Sequence, residues 1–282
     1  MIRLIILLLT IPFIVNAQDL RIGIYPYDGT ERGKESFSIF AKYLSDQTGH
    51  EIKSIVTSNY AEISERVRNN SLDIAWVNST TYINLKKEIP NIRYVATYSY
   101  YDEESDTRTP YYSSVIVSLK KSGIKKLNDL KGKKFAFTDI NATAGYIIPK
   151  MLLEKQNINP EKYFQKIFYM KEHDRLLKAV QAGSVDAGGV SKMNYNSFVK
   201  LYGDIFNIIA ESNPIPHDPI ILTEGAPKGI DDTLRNVFKE IDQHHYLPEK
   251  IRRESGIPIG GFMIKDDSFY DELRTNLAKG RP

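Results

Sequence analysis

Three short polar stretches stand where a protein could handle an anion. They are Thr57-Ser58-Asn59-Tyr60-Ala61, Asn78-Ser79-Thr80-Thr81 and Thr138-Asp139-Ile140-Asn141-Ala142-Thr143-Ala144-Gly145. Each follows an apolar run of strand length and precedes residues at helical spacing, so each reads as a strand-to-helix junction. A helix start presents free backbone N–H groups and the positive end of its dipole, and hydroxyl or amide side chains there add further donors. A single such junction is an ordinary N-cap. Three on successive strands point to a cradle for a small oxyanion, with Tyr60, Asn78, Asn141, Ala142, Thr143 and Ala144 as its candidate lining.

Groups for turnover are scarce by comparison. There is no HExxH, no GxSxG elbow, no GxxxxGK[ST] loop and no cysteine. The candidate groups are donors and aromatics, which suit binding better than nucleophilic chemistry, so neither catalysis nor a cofactor is expected. His244-His245 lacks further ligands at metal-binding spacing, and no metal site is expected.

The elements that must position these groups alternate. Leu20 to Tyr25, Ile52 to Val56 and Leu72 to Val77 read as strands, with helices marked by Phe37, Phe40, Ala41 and Leu44 and by Ile63 and Val67. After the charge-rich segment Asp102 to Thr109, strands are expected at Ser114 to Leu119, Lys134 to Phe137, Lys166 to Met170 and Val185 to Val190. Helices are expected at Ala144 to Lys155 and around Leu176, Leu177 and Val180, ended by Gly183. Ile220 to Leu222, then Leu234 to Ile241 and Phe269 to Leu277, complete the pattern. The fold class is α/β, with mainly parallel sheets flanked by helices.

Composition narrows the setting. Arg3, the apolar run Leu4 to Val15 and Val15-Asn16-Ala17 read as an export signal over residues 1–17, leaving a mature chain from Gln18. The run is shorter than the roughly 20 residues needed to span a bilayer. Without cysteine there is no lipid attachment site and no disulfide framework. A net charge of +3 from 38 basic and 35 acidic residues, well interspersed, gives no nucleic-acid footprint.

Four motifs then occur in order: Leu72-Asp73-Ile74-Ala75-Trp76, Asn141-Ala142-Thr143-Ala144-Gly145-Tyr146 with Pro149, Gly183-Ser184-Val185-Asp186-Ala187, and Pro214-Ile215-Pro216-His217-Asp218-Pro219-Ile220. In this the chain resembles the phosphonate-binding proteins of ABC importers over nearly its whole mature length. The resemblance implies a two-lobed type II periplasmic-binding fold, with residues 18–110 and 213–282 in one lobe and 111–212 in the other. It implies a monomer in the periplasm that binds a small anionic ligand and serves an ABC permease in the membrane. Carried over by motif, the pocket tyrosines fall on Tyr60 and Tyr111, the helix-start hydroxyl motif on Ala142-Thr143-Ala144, the pocket histidine on His173 and an acid on Asp218. Two departures stand out: Ala-Thr-Ala replaces Ser-Thr-Ser, and Met193 takes the place of the second acid that would face an aminoalkyl phosphonate's ammonium group. A sensor partnered by a membrane kinase and a precursor-synthesis enzyme are the alternative uses of the same fold.

Overall fold

The structure is a computed structural model that describes residues 18–25 and 31–280; the export-signal reading falls on residues 1–17, outside the described residues. Fourteen strands are found among the described residues: β1 Leu20–Ile24, β2 Ile52–Val56, β3 Ile74–Trp76, β4 Arg93–Asp102, β5 Thr107–Thr109, β6 Tyr111–Tyr112, β7 Ser114–Leu119, β8 Lys134–Phe137, β9 Lys166–Tyr169, β10 Ala187–Ser191, β11 Phe206–Glu211, β12 Ile215–Pro216, β13 Pro219–Leu222 and β14 Ile259–Met263. They form a seven-stranded sheet in the order β14-β4-β13-β3-β1-β2 with β5 beside β4, and a five-stranded sheet in the order β11-β7-β10-β8-β9. A two-stranded pair, β12-β6, lies where the chain passes between them.

Both sheets are buried on both faces, as the continuous apolar strands require. Ile74 and Trp76 of β3 join one core cluster while Ala75 joins the other; Val115 and Val117 of β7 face one side of the smaller sheet while Ile116 faces its opposite. The period of two distributes each strand between two cores. Most strands of each sheet point the same way, β1 to β4 in the larger and β8 to β11 in the smaller, with reversed strands among them. β1 runs parallel to β2 and β3, and β8 parallel to β9 and β10; β13, β14 and β7 run against them, so that β4 and β11 point with the parallel set yet pair antiparallel with those reversed strands. β7 and β13 enter their sheets directly from the passage between them, with no crossover helix before them, and run against the parallel strands. Helices missing from the sequence reading include Lys192–Tyr202 and Tyr246–Ser255.

Two of the motifs turn out to do the same structural job in the two sheets. Asp73 accepts from Arg21 N at 2.8 Å and Nε at 2.9 Å, and its own N–H donates to Arg21 O at 2.9 Å, pinning the start of β3 beside β1. Asp186 accepts from Lys134 N at 2.8 Å, and its N–H donates to Lys134 O at 2.9 Å, pinning β10 beside β8. Each acid sets the register of a parallel strand from below. The third motif bends the backbone: Thr143–Ile147 forms a π turn that runs into the helix Ile148–Lys155. Pro149 has no N–H to offer the carbonyl four residues back, so Gly145 O accepts from Thr138 N at 3.0 Å instead. The side of the turn is tight. A Cβ at Gly145 would meet Thr138 Oγ1, and one at Gly189 would meet Pro149 Cγ at 2.5 Å.

The buried Asp73 makes the larger contribution of the two acids. Asp73→Ala should destabilise the protein by about 2–3 kcal/mol through lost charge-assisted hydrogen bonds and an orphaned strand N–H, and Asp186→Ala by about 1 kcal/mol. Urea denaturation measures both, and two losses near zero would show that the acids do not hold the strands.

Candidate functional site

The parallel strands of both sheets end at one place. β3 leads to the helix Ser79–Glu88, capped by Asn78, and β2 to the helix Tyr60–Arg68, capped by Asn59. From the other sheet, β8 leads to the π turn, β9 to the helix His173–Gln181 and β10 to the helix Lys192–Tyr202. Carboxyl ends of parallel strands in open α/β sheets are where ligand crevices form. Here they enclose a cavity with ≈ 30 Å³ open to the centres of water-sized spheres. That is room for a ligand of a few heavy atoms.

Seven of the nine residues named from the sequence line it: Tyr60, Asn78, Ala142, Thr143, Ala144, His173 and Asp218. Two do not. Tyr111 is 41% exposed and packs at a tilt against Phe269 with ring centroids 5.1 Å apart, while its neighbour Tyr112 lines the cavity. Successive residues of a strand face opposite ways, so a shift of one position exchanges the two rings. Asn141 is exposed, and it contributes its carbonyl, which accepts from Asn78 Nδ2 at 3.0 Å, in place of its side chain. The first junction is largely spent on capping: Asn59 Oδ1 accepts from Glu62 N, and Thr57 Oγ1 donates to Ile24 O, leaving Tyr60 as its contribution.

The lining also includes residues that sequence reasoning missed: Tyr98, Tyr112, Ser191, Asn194 and His217. Ser191 ends β10 directly before a helix, the same signature as the other junctions, and it was legible on that ground. His217 lay inside a quoted motif. Tyr98 sits on β4, a strand that the polar residues around it concealed. Met193 lines the cavity as well, with its Sδ 4.0 Å from the Tyr98 hydroxyl.

The electrostatics are unusual for an anion site. No lysine or arginine is among the described lining residues, and Asp218 is their one acid. Burial drives the Asp218 carboxyl well above the usual carboxylate range, against a hydrogen bond from the Ser79 backbone N–H. Burial likewise lowers His173 to about 4 and His217 to about 3, so both rings are neutral at physiological pH. His173 Nδ1 accepts from Ser191 N at 3.3 Å, which leaves the ring proton on Nε2. The His217 ring is held between Tyr112, stacked at 4.5 Å, and Tyr98, edge-on at 4.8 Å. Burial raises the hydroxyls of Tyr60, Tyr98 and Tyr112, which remain protonated.

Across the cavity the two halves touch through Thr143. Its hydroxyl lies 2.9 Å from Thr80 Oγ1 and 3.2 Å from Asn78 Oδ1, and accepts from Thr80 N at 3.3 Å. Asn78 also caps its own helix through Thr81 N at 2.8 Å. Three buried polar atoms of the wall have no hydrogen-bond partner: Ser191 Oγ, Asn194 Oδ1 and His217 Nε2. Buried polar groups are nearly always paired, so three together around one space mark a place built to take a polar guest. The His244-His245 pair serves structure: His245 Nδ1 accepts from Leu247 N at 3.2 Å, and His244 stands 3.5 Å from Asp106.

Comparison with known proteins gives this geometry its relatives. A probable phosphite-binding ABC transporter protein of Prochlorococcus marinus is 26% identical over 192 residues, covering 67% of this chain and 63% of that protein. The match thus spans less than two thirds of the relative's length. Two solved structures share the fold. The binding-protein component of a phosphonate ABC transporter from Pseudomonas aeruginosa has a TM-score of 0.78 at 22% identity, covering 93% of this chain and 86% of that one. PhnD1 from Prochlorococcus marinus in complex with methylphosphonate has a TM-score of 0.77 at 20% identity, covering 92% and 97%. The family signature of periplasmic substrate-binding proteins of phosphonate ABC transporters matches residues 22–270, and the chain belongs to that family.

Proposed function

We propose that this protein captures a small oxyanion, a phosphonate or a close relative of one, in the periplasm and delivers it without chemical change to an ABC permease in the membrane. The observation that carries the reading is the set of unpartnered polar atoms, Ser191 Oγ, Asn194 Oδ1 and His217 Nε2, around one small cavity. Family membership and the named ligands of relatives, phosphite and methylphosphonate, support the choice of anion. On this reading residues 1–17 are a cleaved export signal and the mature protein is a monomer. Residues 18–110 with 213–282 form one lobe, 111–212 the other, and the ligand lies between them.

The ligand is held by neutral donors. Tyr60 and Tyr112 hydroxyls, the imidazole N–H groups and the open N–H groups of the π turn surround it, and a protonated Asp218 donates where a carboxylate would repel. Asn194 can present either end of its amide. A thermal-shift screen of residues 18–282 with methylphosphonate, phosphite, phosphate, methanesulfonate and 2-aminoethylphosphonate tests the assignment, since a ligand specific to the native state must stabilise it. Methylphosphonate or phosphite should raise the melting temperature most. No stabilisation by any of the five would refute the reading.

Asp218 gives the site a pH dependence with a defined sign. Its raised pKa favours the neutral acid; as pH rises through that pKa a carboxylate appears beside the anion, and affinity falls. Methylphosphonate titrations between about pH 5 and 9, run on wild type and Asp218→Asn so that the ligand's own ionisation cancels, should show a loss at high pH in the wild type alone. Parallel profiles would mean that Asp218 does not titrate beside the ligand.

Met193 sets the preference among substituents. With an apolar thioether in the wall, an ammonium group would be buried against one neutral acid and be poorly compensated. Met193→Glu should improve 2-aminoethylphosphonate relative to methylphosphonate by about fivefold, or ~1 kcal/mol. Calorimetry on both ligands gives the ratio, and an unchanged ratio would place the ammonium site elsewhere.

A further inference from the structure

A second cavity, ≈ 230 Å³ on the same measure, adjoins the first across Tyr98, Met193 and Asn194, which line both. Its wall differs in kind. Ile24, Phe37, Phe40, Trp76 and Ile259, all members of the large core cluster, form an apolar part of it. Asp174 is the charged residue among its described lining and is exposed, at the rim. Protein interiors are close-packed, and voids much larger than a water molecule are few, so an apolar space of this size beside a ligand site calls for an occupant.

A second observation concerns Trp76. It is 9% exposed, it lines this cavity and not the smaller one, and its Nε1 is buried with no hydrogen-bond partner. A buried indole N–H ordinarily finds an acceptor. Between the two spaces stands Met193, half-buried, unbranched and with three rotatable bonds, a side chain that can swing aside at small cost.

We infer that the second cavity is a subsite for the apolar substituent of an organic oxyanion whose head group occupies the first. The ligand class is then a phosphonate bearing an alkyl or aryl tail of several carbons, running past Met193 toward Trp76. An ether or carbonyl oxygen in that tail satisfies Trp76 Nε1. The inference rests on the anion-capture reading above and adds the tail to it. Each methylene that enters the apolar wall tightens binding by about fourfold, the equivalent of ~0.8 kcal/mol for a buried CH₂.

Calorimetry of residues 18–282 with methyl-, propyl-, pentyl- and benzylphosphonate tests it. The expected result is an affinity that climbs with chain length by about fourfold per carbon over the first few carbons, and pentylphosphonate binding more tightly than 5-aminopentylphosphonate. Trp76 is the chain's one tryptophan, which supplies an independent readout. At saturation, 5-bromopentylphosphonate should quench its emission beyond the effect of pentylphosphonate, because bromine quenches on contact. Ser197→Phe, at an exposed position lining the second cavity, should lower the pentyl-to-methyl affinity ratio. Methylphosphonate binding with an affinity that stays flat or falls along the series, and no bromine quenching, overturns the tail subsite while leaving anion capture intact. Failure of every phosphonate to bind overturns both.

Discussion

An anion buried without a cation beside it must be held by neutral dipoles, and neutral dipoles are effective only when they are fixed before the ligand arrives. The head-group cavity of this protein works under that constraint, with no lysine or arginine in its described lining. Its donors are therefore each immobilised by a separate contact. Asn78 is held by Thr81 N and Asn141 O, His173 by Ser191 N, and His217 between the rings of Tyr112 and Tyr98. Burial adds to the effect, because it lowers the pKa of both imidazoles and raises that of Asp218, favouring the neutral form of all three.

The framework beneath reads as two copies of one device. Asp73 locks β3 to β1, and Asp186 locks β10 to β8, each through the N–H of the residue just before the first pair on the neighbouring strand. The far ends of those same strands lead to Asn78 and Ser191. An acid at the bottom of a strand thus determines where a donor emerges at the top. The π turn serves the same end by another route. Its wide winding and Pro149 release the carbonyls of Ala144 and Gly145, which accept from Ser114 Oγ at 2.7 Å and Thr138 N at 3.0 Å and anchor the turn to two strands.

Much of this was legible in the sequence, and the gaps have physical causes. Strands Ile52–Val56, Ser114–Leu119 and Lys134–Phe137 were read at their observed bounds, because apolar runs between turn residues are distinctive. β4 escaped notice: its sequence RYVATYSYYD alternates tyrosine with polar residues, and its burial comes from neighbouring strands that the local pattern does not reveal. The helix-start donors were found because capping chemistry is local. Tyr112 in place of Tyr111, and the backbone role of Asn141, depend on register and turn geometry, which are properties of pairing and not of composition. The mixed strand directions were invisible for the same reason.

Access to so enclosed a site requires the walls to part. Tyr60, Asn78, His173, His217 and Asp218 are each buried, and they come from both sheets and from the passage between them. That passage is a slender one: β6 and β12 pair through Ile215 with Tyr112 and Pro216 with Tyr111. What spans the cavity itself is a handful of hydrogen bonds, Thr143 to Asn78 and Thr80 and Asn78 to Asn141, each worth about 0.5–1.5 kcal/mol. Ile148 and Met151 also share an apolar cluster with Ile63 and Val67, so those contacts bear on the balance between open and closed forms as well. A ligand tips it only by what it gains in the closed form alone. The unpartnered Ser191 Oγ and His217 Nε2 offer such a gain, since each can donate to an oxyanion that enters the closed cavity, and Asn194 can do the same by turning its amide NH₂ inward. Affinity and closure are then one event, and the polar atoms that make the closed cavity costly by itself are the ones that make it selective.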